Sequence, residues 1–156
     1  MIITVNDLLN SGLPVSAELS DERLQNAITT AEQYIVKPRL GNEMFVDIIT
    51  EPEEYTVLLD GGIYELPDGK QTYIAGLCAA VKELAYACLL RESIMATTFG
   101  TTRKKDDYSD AADEDTLYNV ARYHTEIGMS YLKEVTDALN IDNSGKLMNN
   151  WFEELI

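Results

Sequence analysis

Basic residues are scarce in this chain: 12 Lys and Arg stand against 27 Asp and Glu, leaving a net charge of −15. Residues 1–78 hold 13 acids and 4 bases and residues 79–156 hold 14 and 8, so the halves carry −9 and −6. The acidity therefore belongs to the whole surface and to no single tail. That argues against nucleic-acid binding through phosphates, which needs clustered Lys and Arg. Cysteine is nearly absent too. Cys78 and Cys88 lie on one predicted helix, about 15 Å apart along its axis, too far for a mutual disulfide. With a single histidine, the zinc-ligand spacings are missing as well. Long hydrophobic runs are also lacking, since the longest uncharged stretch, Gln71–Val81, is too short to span a bilayer. No charged leader followed by an apolar run opens the chain, which predicts no signal peptide and a reduced, intracellular place of synthesis.

What is present is an ordinary globular composition, 46% hydrophobic and 25% charged, in 156 residues, enough for one domain with its own core. Thr4 can cap a short helix that stops at Ser11-Gly12 and Pro14, within an N-terminal arm of residues 1–19. Ser20 begins a stronger helix with Asp21 and Glu22 in its first turn. Its apolar positions Leu24, Ala27, Ile28, Ala31 and Ile35 follow the helical period, and Pro38 is expected to end it at Val36 or Lys37. Asn42–Ile49 reads as a short helix, and Pro52 opens another that Gly61-Gly62 stops. Residues 61–70 break the pattern and suggest an extended, hairpin-like segment with a tight turn at Pro67-Asp68-Gly69. From Thr72 to about Met95 the chain is apolar nearly all round, the mark of a buried central helix. Small residues Ala75, Gly76, Ala79 and Ala80 would let a neighbouring backbone approach it. A further helix spans about Asp113 to Leu139, with a buried stripe of Leu117, Ala121, His124, Gly128, Tyr131 or Leu132, Val135 and Leu139. A polar turn then leads to a terminal helix within residues 144–156, containing Leu147, Met148, Trp151, Phe152 and Leu155. The fold class is all-α, a helical bundle with one small hairpin.

Catalytic signatures are missing. His124 falls on the apolar stripe of its helix, and no GxSxG elbow supplies a nucleophile for it. It reads as a buried or interface histidine. Phosphate cradles of the GxGxxG and GxxxxGK[ST] types are absent as well. The nearest metal pattern is a calcium-loop likeness at residues 140–151. Asn140, Asp142 and Ser144 fall on ligand positions, Gly145 on the sharp turn and Leu147 on the hydrophobic position. The closing bidentate glutamate is replaced by Trp151, so an Asx-type connection between helices is favoured. No enzyme activity, cofactor or metal is expected.

The stretch Thr97–Asp115 stands out against this background. Connections between bundle helices usually take about 2–8 residues. Here a glycine among threonines is followed by Arg103, Lys104 and Lys105, and then by six acids in Asp106–Asp115. A long polar loop (residues 97–112) on a helical scaffold suits recognition of a partner. On a −15 chain the cationic triplet has an acidic neighbouring subunit as its natural counterpart, which predicts assembly that weakens with salt.

Several segments together resemble the small helical head–tail connector (adaptor) proteins of tailed bacteriophages and prophages, in the branch found in gut-bacterial phages. They are DERLQNAITTAEQYIVKPRLGNEMF with its P-x-L-G exit, LLDGGIYE, GLCAAVKELAYACLL and TTFGTTRKKDD. The chain departs from the pattern in lacking a proline before Phe99, and its NIDNSGKLMNNWFEELI end has no part in the likeness. The resemblance implies a single connector-type domain over residues 1–156 that catalyses nothing. It implies a ring, commonly of about twelve copies, docked on the portal protein and passing DNA to the next tail or stopper protein without binding it specifically. The place would be the virion head–tail interface, reached from the host cytoplasm, with no membrane involved. Carried over by position, the interface residues are Thr97, Thr98, Phe99, Gly100, Thr101, Thr102, Arg103, Lys104, Lys105, Asp106, Asp107 and Tyr108. Phe99 would be the apolar anchor, with the three cations beside it. Two other classes remain open from the residues alone: an acidic DNA-mimic regulator of a basic partner, and a calcium-responsive module at Asn140–Ser144.

Overall fold

A computed structural model describes residues 1–66, 68–98 and 114–139. Helices dominate it, as the periodicity predicts, with one two-stranded antiparallel sheet. Helix α1 (Val5–Leu9) starts at a capping box: the Asp7 amide donates to the Thr4 hydroxyl and the Thr4 amide donates to the Asp7 carboxylate. Hydrogen bonds from the Thr4 hydroxyl and then from its amide hold the Asp7 carboxyl below its ordinary range. The N-terminal stretch is no free arm, because Ile3 and Leu8 are fully buried in the core.

Helix α2 (Asp21–Thr30), capped by Ser20, does not end where Pro38 suggested. It runs into a π-helical segment, Ala31–Val36, and then into α3 (Lys37–Leu40), with Pro38 inside the helical path. The physical reason lies in the bonding register. Proline has no N–H to give to the carbonyl four residues back, and its ring collides with that carbonyl. In the widened turn the Lys37 amide reaches back five residues to Glu32, so the helix passes the proline instead of stopping. Gly41 ends it, and α4 (Asn42–Thr50), a 3-10 turn (Pro52–Tyr55) and α5 (Thr56–Asp60) follow.

The second departure is at the hairpin. Strands β1 (Gly62–Glu65) and β2 (Gln71–Ile74) pair in the register Gly62–Ile74 to Glu65–Gln71, so Thr72 to Gly76 belong to no helix. Helix α6 (Leu77–Thr98) begins only after Gly76. Gly61 and Gly76, at φ +84° and +89°, back onto each other: a Cβ on Gly76 would sit 2.4 Å from the Gly61 nitrogen, and one on Gly61 2.5 Å from the Ala75 oxygen. Only glycine fits such a crossing, and the positive φ of Gly76 keeps α6 from starting sooner.

Helix α6 forms the centre, with Leu77, Ala80, Val81, Leu84, Ala85 and Leu89 all buried. Helix α7 (Glu114–Ala138) lies antiparallel against it, since His124 meets Glu83, Gly128 meets Leu84 and Ala80, and Glu134 reaches Ala75. The stripe expected on α7 is largely the buried one: Ala121, Gly128, Leu132 and Val135 face the core.

Candidate functional site

Of the interface residues singled out from the sequence, two fall in a described element. Thr97 and Thr98 are the last residues of α6. Phe99 to Tyr108, including the Arg103-Lys104-Lys105 triplet, lie outside the described residues, as does the calcium-loop likeness at 140–151. The described helices supply the platform for that segment: two long antiparallel rods whose ends, Thr98 and Glu114, bound it.

That platform is stiffened by close packing. Gly128 has so little room that a Cβ there would stand 2.7 Å from Leu84 Cγ and 3.1 Å from the Ala80 oxygen. The two helix backbones thus approach more closely than any larger residue allows. Arg23 and Glu92, 3.3 Å apart, tie α2 to the second half of α6. Both side chains are largely exposed, so this pair fixes orientation more than it stabilises.

One polar pair is set into the same helix interface. His124 Nδ1 and Glu83 Oε2 are 2.6 Å apart, each side chain mostly buried. Tyr86 packs edge-on against the imidazole at 4.7 Å between ring centres, and Tyr123 does so at 5.3 Å. A carboxylate on Nδ1 fixes the orientation of the ring. The hydroxyl of the neighbouring Thr125 is committed to backbone, donating to the Ala121 oxygen. The arrangement is a polar tie between helices with two aromatic walls. The sequence left Glu83 unremarked, although a lone acid inside the apolar run AAVKELAYACLL was the available signal.

Glu83 also borders an open cleft of about 350 Å³, with Ser11, Leu13, Asp60, Cys78, Lys82 and Tyr131 among its lining. Burial pushes the Cys78 thiol up to about 11, with Asp60 adding to the shift. Its sulfur lies 3.8 Å from the Ile2 oxygen and 3.9 Å from Asp60 Oδ1. Cys88 is likewise pushed up to about 11 by burial. At neutral pH both therefore remain thiols, which are poor nucleophiles and poor metal ligands. Among the described residues no three His, Cys, Asp or Glu side chains are grouped to hold a metal ion. None of the described helices is long and apolar enough to cross a membrane.

Two more carboxylates act on backbone, and neither was foreseen. Glu32 Oε1 accepts from the amides of Ile2, at 2.7 Å, and Ile3, at 3.2 Å, clamping the N-terminus to the π-helical segment. Glu134 Oε2 accepts from the Ala75 amide at 2.9 Å, fastening the exit of the hairpin to α7.

A search of curated proteins and a search of solved structures each gave no match. A family model matches residues 36–145, from the end of the π-helical segment through the hairpin, α6 and α7. Since that span is well over half of its 156 residues, the chain belongs to a family of unknown function, DUF6712.

Proposed function

We propose that this chain is a structural virion protein of the head–tail connector kind, which assembles into a ring beneath the portal and continues the DNA channel without catalysis. The observation that supports the reading most is the joining of a stiff antiparallel helix pair, α6 and α7, by a polar segment (residues 99–113) much longer than such a pair needs. Within that segment Phe99 supplies an apolar anchor, and Arg103, Lys104 and Lys105 supply cations for an acidic neighbour. The −15 charge supports a conduit role, since an acidic channel wall repels DNA and lets it slide. The protein would act at the virion head–tail interface, after synthesis in the host cytoplasm. Its partners would be further copies of itself, the portal and the next tail or stopper protein.

The test removes residues 98–110 and mixes the variant with the portal protein. The expected outcome is an unchanged far-UV helical signal with loss of ring density on the portal by electron microscopy. A variant that still assembles normally refutes the role given to the segment. Should the intact protein form no ring with the portal but bind a basic enzyme as a monomer or dimer, the DNA-mimic reading replaces this one.

A further inference from the structure

The two edges of the hairpin differ. The Leu66 amide donates to the Lys70 oxygen, and in an antiparallel ladder such bonded pairs alternate with pairs that exchange no bond. The register then makes Tyr64–Thr72 and Gly62–Ile74 the bonded pairs. Ile63 and Glu65 on β1, and Gln71 and Tyr73 on β2, aim their backbone N–H and C=O groups away from the partner strand. On the β2 side the next outward amide, that of Ala75, is held by Glu134, and α7 packs against the strand. That side chain stands in the path of any strand added there. On the β1 side no described residue takes the amides of Ile63 and Glu65.

Side chains of two kinds surround that open edge. Ile63 and Tyr73, direct cross-strand partners 66% and 72% exposed, form an apolar pair on the outer face. From Leu40 to Gly69 the sequence holds eight acids and no Lys, Arg or His. All eight are exposed, and among the described residues only Asp68 has an ion-pair partner, Lys70. Glu65 shares the outer face with Ile63 by strand alternation. Glu53 and Glu54 lie on the 3-10 turn that leads into α5, and α5 packs against β1. Strand addition draws its affinity from main-chain bonds at an open edge and its choice of partner from alternate side chains. Both are on offer here.

We propose that the β1 edge is a docking site for an extended basic segment of a second protein. The segment adds as a third strand, pairs with the backbone of Ile63 and Glu65, lays an apolar side chain beside Ile63 and sets Lys or Arg against the acids. Charge decides the occupant. A second copy would bring the same eight acids to the same edge, where like charges repel. The chain's own Arg103-Lys104-Lys105 runs directly into Asp106 and Asp107 and has no apolar residue in alternation, so it does not match a strand of this kind. A strand of another protein that alternates basic and apolar residues meets every requirement.

The probe is a short fluorescein-labelled peptide of alternating Lys and Val, titrated into the full chain and followed by anisotropy. Binding should weaken with salt and should slow amide exchange at Ile63 and Glu65. Methylating the peptide nitrogens that face β1 keeps the charge but removes backbone bonds, and should weaken binding about tenfold or more. The double variant Glu53→Lys, Glu54→Lys should also bind more weakly with an unchanged far-UV helical signal, since both side chains are exposed. No binding of the Lys–Val peptide, equal binding of its methylated form, or equal binding to the double variant overturns the proposal. Slow exchange at Ile63 and Glu65 without peptide also overturns it. Another part of the chain would then hold the edge, or a second copy if the slowing grows with protein concentration.

Discussion

Glu32 is a carboxylate whose burial pushes it above its ordinary value of 4.5, although the Ile2 and Ile3 amides and the N-terminal charge pull the other way. Folding therefore favours its protonated form. The stability it contributes is full below the unfolded value and is lost as pH rises through the raised folded one. A Gln at this position keeps a carbonyl for the two amides and does not titrate. Chemical denaturation of wild type and Glu32→Gln from about pH 4 to about pH 7 should therefore show wild type losing stability relative to the variant as pH rises. A gap constant across that range would mean that Glu32 is not desolvated. Position 32 was half legible in the sequence, because it lies four residues after Ile28 on the apolar side of its helix. What the pattern could not supply was the partner, since a hydrogen bond between residues thirty apart has no local signature.

At the scale of elements, the helix pair rests on Gly128. Replacing it with alanine gains about 0.8–1 kcal/mol of helix propensity. Against this stands a methyl group 2.7 Å from Leu84 Cγ and 3.1 Å from the Ala80 oxygen, an overpacking that costs about 1–3 kcal/mol because the backbone atom cannot yield. The Gly128→Ala variant should thus melt lower, by about 2–4 °C for each net kcal/mol lost. A raised melting temperature in calorimetry would refute the close approach. Helix identities were readable, since α1 and α2 carry side-chain caps at Thr4 and Ser20 and α2 and α7 follow a clear 3.6-residue period. Two boundaries were not. Pro38 reads as a stop because sequence rules assume α-register, and a π-turn escapes that assumption. Residues 72–76 read as helix because YIAG is apolar, whereas pairing with β1 and the positive φ at Gly76 decide otherwise. Pairing is a relation between segments, invisible to a window that holds one of them.

At the scale of the molecule, the charge of −15 meets a single basic triplet at Arg103–Lys105. If that triplet joins one subunit to the acidic surface of the next, salt should screen the contact. Ring assembly on the portal, followed by light scattering, should then fall as ionic strength rises from about 0.05 M to about 0.5 M, where the Debye length drops below about 5 Å. Assembly insensitive to salt would shift the contact to Phe99 and other apolar groups. By itself the sequence determined the helical class, the single-domain size, the acidic surface and the long polar segment between two helices. Each follows from composition, or from periodicity within about twenty residues of chain. Only the tertiary structure decided that His124 meets Glu83, that Glu32 clamps the N-terminus, that Gly61 and Gly76 cross, and that Ile63 and Tyr73 face outward together. Those facts arise from contacts between residues distant along the chain, whose free energy depends on which surfaces the packed helices bring into touch.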